Sequence, residues 1–105
     1  MLNRPFWRRA LAVGFGLLAL WNAGPAQAEQ CLRNITTALE QAGASLWDVV
    51  RVTYVLPDAS QFERCWPVLR RHFGEIRPAA MMISAGLADP RMRIEIEVTA
   101  LKPAA

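Results

Sequence analysis

The residue types that most often do chemistry are few in this sequence and widely spaced. Its 105 residues include two cysteines, Cys31 and Cys65, and one histidine, His72. Neither cysteine belongs to a CxxC or Cys/His pair, so we expect no metal site and no cofactor held by these residues. Buried free thiols are the expectation, and one disulfide between them stays open if the chain is exported. The sequence offers no partner for His72, and we assign it no role.

Three further residues fit ordinary structural roles. Glu95 alternates with apolar residues near the C-terminus, which is typical of an outward-facing strand residue in a solvated or interface ladder. Trp66 and Met82 lie at helix and strand spacings that are typical of core residues.

The charge balance argues against a nucleic-acid partner. The net charge is +3, but Arg4, Arg8 and Arg9 lie in the first nine residues, and from residue 29 onward nine basic residues balance nine acidic ones. Nucleic-acid binding needs basic residues clustered on one face of the folded part. The 105 residues allow one domain, and removal of a leader would leave it near the lower limit for an independent core, so we expect self-association.

Residues 1–28 have the three parts of a secretory leader. The arginines are followed by an apolar run over residues 10–21 and by small residues at Ala26 and Ala28. About a dozen apolar residues are too few for a membrane-spanning helix, which needs roughly 20. We therefore predict a leader cleaved after Ala28, with no stable membrane anchor afterwards, in preference to an apolar helix packed on the domain.

The elements that must position the candidate residues follow from residue 29 onward. Apolar spacing predicts a helix over residues 30–42, ended by Gly43. A β-branched run predicts a strand over residues 49–56, with Val50, Val52, Tyr54 and Leu56 on one face.

A second helix is predicted after Ser60, which forms a capping-box spacing with Glu63. Pro67 predicts a break in this helix near Trp66. Strands over residues 79–85 and 93–101 complete the order helix, strand, helix, strand, strand. The pattern indicates an α+β fold with two helices on one face of a three-stranded sheet. Three strands are too few to cover both helices, so the missing strands come from another chain or the domain is incomplete.

Several segments in order carry a family resemblance. They are QAEQCLRNI at residues 27–35, AGAS at 42–45, DVVRVT at 48–53, FGE at 73–75, RPA at 77–79 and IEIE at 94–97. Together they resemble most of a RidA/YjgF (reactive-intermediate deaminase) domain over residues 27–101.

The resemblance implies a chorismate-mutase-like α+β subunit that assembles as a homotrimer with small-molecule clefts between subunits. Active members hydrolyse enamines and imines such as 2-aminoacrylate, releasing ammonia and a 2-oxo acid, and need no cofactor. An arginine clamps the substrate carboxylate in a bidentate pair, and a glutamate positions water.

This sequence departs from the family at most of those positions. Ala80 stands where the arginine is expected, Met82 replaces a cysteine and Trp66 replaces an asparagine. Glu95 remains as the first glutamate of its pair. The family's first strands, expected before Gln27, are not recognised, and the leader stands in their place.

Three functions follow from these departures. We favour a non-catalytic subunit that binds a small molecule or a partner in a cleft near Ala80, Met82 and Trp66. The alternatives are an enamine or imine deaminase that uses Glu95 as its catalytic residue, and a non-functional truncated copy. The leader favours export, whereas the family resemblance favours the cytoplasm.

Overall fold

A computed structural model of the chain describes residues 7–15 and 23–103. The secondary structure consists of strand β1 (Trp7–Phe15), helix α1 (Ala23–Gln41), strand β2 (Val49–Leu56), helix α2 (Phe62–Phe73), strand β3 (Ala79–Ser84) and strand β4 (Glu95–Pro103). Within the two described ranges, no helix has the length and apolarity to cross a membrane.

The four strands form one mixed sheet in the order β1-β4-β2-β3. β4 pairs antiparallel with both β1 and β2, whereas β2 and β3 run parallel. Helix α2 connects the parallel pair, as a parallel connection requires. β3 is therefore an edge strand, and Ala80 lies directly opposite Val52 on β2.

The core lies between one face of this sheet and the two helices. Both helices contribute an apolar stripe, and β2 and β4 contribute every second residue. The side chains that are completely or almost completely buried include Leu32, Ile35 and Leu39 from α1, Cys65 and Leu69 from α2, Val52 and Leu56 from β2, and Ile96 and Val98 from β4. This two-layer arrangement confirms the predicted α+β class, with two helices on a small mixed sheet.

The N-terminal elements differ from the prediction. The sheet has four strands, so the expected three-stranded sheet is wrong, and α1 begins at Ala23 instead of Gln30. Pro25 fits the first turn of α1, where the amide protons have no helical acceptor. Residues 1–6 and 16–22 of the predicted leader lie outside the described residues. Cleavage after Ala28 stays a prediction.

A β-bulge at the start of β2 changes which residue faces the core. Val49 pairs with Ala100 and Arg51 pairs with the adjacent Thr99, so Val50 is an extra residue on its strand. Val49 is buried, whereas Val50 is 45% exposed. The prediction that Val50 shares the buried face was wrong for this reason.

Helix α2 begins differently from the prediction and is not broken. The carboxylate of Asp58 accepts hydrogen bonds from the amide of Ser60 at 3.0 Å and from its hydroxyl at 2.6 Å, so the expected capping box with Glu63 does not form. Pro67 lies inside a continuous helix. Proline costs about 3 kcal/mol in a helix interior, and burial of Cys65 and Leu69 on either side of it offsets that cost.

Candidate functional site

A cavity of about 320 Å³ opens between α2 and the edge strand β3. Its lining is almost entirely apolar and comes from three elements and the loop before β3. The lining residues are Val52, Tyr54, Phe62, Trp66, Leu69, Arg70, Phe73, Gly74, Pro78 and Ala80. The volume falls within the range of about 300 to 1,000 Å³ that is typical of small-molecule sites.

The cavity exists because β3 extends the sheet beyond the edge of α2. All six residues of β3 are exposed, whereas the core residues of β2 beside them are buried under the helix. Ala80 contributes only a methyl group at this edge. A long side chain at position 80 would project from the same face as Val52, toward the cavity.

Three aromatic rings form one side of the cavity. The ring centroids of Tyr54 and Phe62 are 5.3 Å apart, and those of Phe62 and Trp66 are 6.4 Å apart in an edge-to-face arrangement. Burial raises the pKa of Tyr54 to about 12, so its phenol stays neutral at physiological pH. The rings thus offer an uncharged surface against which a planar apolar group can pack.

Among the described residues that line this cavity, Arg70 is the one with a charge. Its guanidinium forms no ion pair with any residue in the described part of the chain. Arg70 also borders a second, more polar hollow beside Trp47 and His72. The site therefore combines an apolar cavity with one available cation at its edge.

The structure brings together two of the four residues singled out from the sequence. Trp66 and Ala80 line the cavity, and Trp66 is 45% exposed. Met82 lies on the same face of β3, opposite Tyr54, but beyond the lining, and it is 37% exposed. Neither Trp66 nor Met82 is a plain core residue.

Glu95 lies on the other face of the sheet. It is half-buried at the start of β4, opposite Val55 of β2, whereas the next residue, Ile96, is opposite Tyr54 and faces the helices. Because side chains alternate along a strand, Glu95 and the cavity are on opposite sides of β2 and β4. Within one chain, Glu95 cannot act on a molecule held beside Trp66 and Ala80.

An ion cluster between the helices gives His72 a partner that sequence spacing did not reveal. The Glu29 carboxylate on α1 contacts the Arg71 guanidinium, His72 Nε2 at 3.0 Å and Arg33 Nε at 3.5 Å. Burial raises the pKa of Glu29, but the hydrogen bonds from Arg71 and His72 outweigh it, and the net pKa is lowered. Arg71 and His72 belong to α2, so the cluster joins the two helices.

Gln27 is the second residue whose role was missed. Its side chain is 1% exposed and joins the start of α1 to the segment before β4. Nε2 donates to the carbonyl of Arg91 at 2.9 Å, and Oε1 accepts from the amide of Arg93 at 2.7 Å. The interpretation of residues 1–28 as a leader predicts no structural role for Gln27 in the folded domain.

The cysteines are buried and free, as expected. The pKa of Cys31 is raised to about 12, first by burial and second by the negative charge of Glu95, and burial also raises the pKa of Cys65.

Across residues 7–15 and 23–103 no group of three His, Cys, Asp or Glu side chains could hold a metal ion. The absence of a cofactor stays a prediction.

Sequence comparison decides the family. The pattern of the endoribonuclease L-PSP family matches residues 19–102. The chain belongs to this family, which is the RidA/YjgF family. A RutC family protein of Pyrococcus abyssi is 38% identical over 76 residues, which cover 72% of this chain and 60% of that protein. A 2-iminobutanoate/2-iminopropanoate deaminase of Homo sapiens is 29% identical over 72% of this chain and 56% of its own length. The RidA/YjgF match thus spans about 60% of the length of these relatives.

Solved RidA/YjgF structures show the same fold. A YjgF/YER057c/UK114 family member from Mycobacterium tuberculosis has a TM-score of 0.79 and 33% identity, over 95% of this chain and 82% of that one. RidA from an Antarctic Psychrobacter has a TM-score of 0.76 and 28% identity, over 96% of this chain and 85% of that one. The chorismate-mutase-like fold expected from the resemblance is confirmed.

Proposed function

We propose that this RidA/YjgF protein is a non-catalytic subunit that binds a small apolar molecule in the cavity between α2 and β3. The observation that carries the proposal is the position of Ala80 in that cavity, which Trp66 also lines. The family resemblance places the substrate-clamping arginine at position 80. With a methyl group there, the position supplies apolar surface instead of a charge-assisted bidentate pair.

An arginine introduced at position 80 tests whether the missing guanidinium is the reason for the absence of catalysis. We expect no ammonia release above background when the natural protein is mixed with freshly generated 2-aminoacrylate, and measurable release from Ala80→Arg. Ala79→Arg is the matched control, because Ala79 lies opposite Arg51 on the other face of the strand. Rapid release by the natural protein would overturn the non-catalytic assignment.

The deaminase alternative is favoured by one comparison, the human deaminase relative at 29% identity. In that case Glu95 is the catalytic residue and acts on a substrate on its own face of the sheet or in the cleft of a neighbouring subunit. Glu95→Gln would then abolish ammonia release, while Glu97→Gln, an exposed carboxylate on the same strand, would leave it unchanged. Equal rates in both variants would remove Glu95 from the reaction.

A homotrimer is part of the proposal, and β3 supports it. Within the described part of the chain, this edge strand has no strand partner on one side, and Met81, Met82 and Ile83 are 37% to 48% exposed. An uncovered apolar edge strand is a site for association with another chain.

Light scattering tests the assembly. We expect the molar mass of three chains for the natural protein and a lower mass for Ile83→Lys, because a charge on the edge strand opposes pairing. Thr37→Lys, at an exposed position of α1, should leave the mass unchanged. A folded monomer in the natural protein would exclude the trimer, and an unfolded aggregate would favour the non-functional copy.

A further inference from the structure

A second hollow lies between the 3₁₀ turn before β2 (Leu46–Asp48) and the C-terminal end of α2, and its volume is about 390 Å³. Leu46 and Ile76, which pack against the core, give it apolar surface. Trp47 and Arg70 also line it, and none of the described lining residues belongs to β3. We call this surface the Trp47 hollow. It is separate from the edge strand of the proposed trimer.

Local hydrogen bonds fix the turn that carries Trp47. The Ser45 hydroxyl oxygen accepts from the amide of Trp47 at 3.2 Å, and the Asp48 carboxylate accepts from the amide of Ser45 at 2.9 Å. These reciprocal bonds form a capping box. The Trp47 side chain is nevertheless 67% exposed, against 45% for Trp66. A partner that covers this indole would bury a large apolar surface without having to order a loop, which keeps the entropic cost of binding low.

Basic side chains outnumber acidic ones in and beside the Trp47 hollow. Arg70 and Arg71 line it, and Arg33 contacts the same Glu29 carboxylate as Arg71. The three arginines face two carboxylates, those of Glu29 and Glu75, and Arg70 forms no ion pair among the described residues. This excess of positive charge favours an acidic occupant over a basic one.

We propose that the Trp47 hollow is a docking site for an acidic peptide segment of a partner protein. An apolar side chain of the segment packs against Trp47 and Leu46, and the flanking carboxylates lie beside Arg70 and Arg71. Tryptophan and arginine are the residue types that most often dominate the energy of protein interfaces. A hollow admits a single side chain but not the flat surface of a bilayer, which favours a peptide over an anionic membrane. The docking site is independent of the ligand proposed for the cavity between α2 and β3.

The same residues also have ordinary roles. Single exposed apolar side chains such as Trp47 are common on protein surfaces, and a basic residue in the last turn of α2, such as Arg70, stabilises the helix end without any partner. The experiment therefore observes the Trp47 indole itself and compares two peptides of opposite charge on one protein.

The test uses the full chain labelled with nitrogen-15 and two capped pentapeptides, one with a leucine between four glutamates and one with a leucine between four lysines. NMR follows the indole N–H signal of Trp47, which is assigned by its loss in Trp47→Phe. At pH 7 and low ionic strength, where screening is weak, we expect the acidic peptide to shift this signal saturably. The basic peptide should bind about tenfold more weakly or not at all. The indole signal of Trp66, in the other cavity, should not move.

Two variants locate the interaction, and a third controls for net charge. Trp47→Ala and Arg70→Gln should each weaken the acidic peptide about tenfold. Because the Trp47 side chain is largely exposed, Trp47→Ala should keep the thermal transition of the natural protein. Arg64→Gln should keep the affinity of the natural protein, because Arg64 is exposed on the same helix but lies outside the hollow.

Four outcomes would overturn the docking site. They are no saturable shift of the Trp47 signal, equal affinities for the two peptides, a shift of the Trp66 signal alone, and unchanged affinity in Arg70→Gln. Sedimentation with phosphatidylglycerol vesicles that requires Trp47, without any response to the acidic peptide, would instead make the surface a membrane contact.

Discussion

The Glu29 carboxylate contacts three basic side chains, those of Arg33 on α1 and of Arg71 and His72 on α2. The Glu29 side chain is 22% exposed. Its pKa is lowered in the folded chain below the ordinary value of a glutamate, 4.5. A carboxyl group with a lowered folded pKa contributes stability above its unfolded pKa and loses that contribution as the pH falls through the folded value. The contribution of Glu29 to the contact between α1 and α2 is therefore present at neutral pH and lost in acid.

We expect Glu29→Gln to lower the free energy of unfolding at pH 7 by about 1 kcal/mol, which is typical of an ion pair open to solvent. Urea denaturation at pH 7 and at pH 3 measures this, and the difference between variant and natural protein should shrink at pH 3. Glu40→Gln, an exposed carboxylate on the same helix, should show no such difference. A deficit that is equal at both pH values would exclude the ion cluster as its cause.

The thiols provide a second prediction for single residues. Because burial raises the pKa of both thiols, that of Cys31 to about 12, few thiolates form in the folded chain. A disulfide-exchange reagent at pH 8 should label neither cysteine until the protein is unfolded, and then label both. Folding stability should also fall as the pH rises above 9, because the unfolded thiols ionise there first. Rapid labelling of the folded chain would show that the core is open.

At the scale of elements, the sequence predicted those helices and strands that a regular spacing of apolar residues determines. The stripe of Leu32, Ile35 and Leu39 located α1, and the alternation of Ile94, Ile96 and Val98 located the last strand. Gly43, which has a φ of 79°, ends the first helix region as expected. These features depend on a residue and its near neighbours in the chain.

Features that depend on distant residues were not predicted. The segment over residues 7–15, which includes the start of the apolar run predicted over residues 10–21, was interpreted as part of a leader, and its strand is defined by pairing with β4, about 80 residues later. The bulge at Val50 appears only in the register with β4. The separation of Glu95 from the cavity likewise follows from the order of strands, although Trp66 and Ala80 were identified from the family's motif alone.

The link between Gln27 and the segment before β4 provides a prediction for an element. Gln27→Leu should lower the free energy of unfolding by about 2 kcal/mol, because it removes two hydrogen bonds and leaves the carbonyl of Arg91 and the amide of Arg93 without them. Hydrogen exchange should show faster exchange of the Arg93 amide. Gln41→Leu, at the exposed end of the same helix, should change neither quantity. Unchanged exchange at Arg93 would contradict the assigned role.

At the scale of the whole molecule, the predicted leader and the described fold require the same residues. β1 forms one edge of the sheet, and the first turns of α1 include the buried Gln27 and Ala28. Cleavage after Ala28 would remove all of them and expose the edge of β4.

We therefore expect a chain that starts at Glu29 to be less stable than one expressed from Met1 and to aggregate more readily. Circular dichroism on heating, together with light scattering of both chains, measures this. A cooperative transition at the same temperature in both would show that residues 1–28 contribute nothing to the fold and would favour the cleaved leader. A lower transition temperature for the shorter chain would favour retention of β1.

The pairing of β1 with β4 also has a consequence for the order of events during protein synthesis. Trp7 lies opposite Pro103 and Phe15 lies opposite Glu95, so the first described strand pairs with the last one. Contacts between distant parts of a chain form late and slow folding. While the ribosome is still translating, the apolar segment has no strand partner and is available to any factor that binds nascent hydrophobic segments. Whether residues 7–15 join the sheet thus depends on which happens first, the binding of such a factor or the completion of the polypeptide.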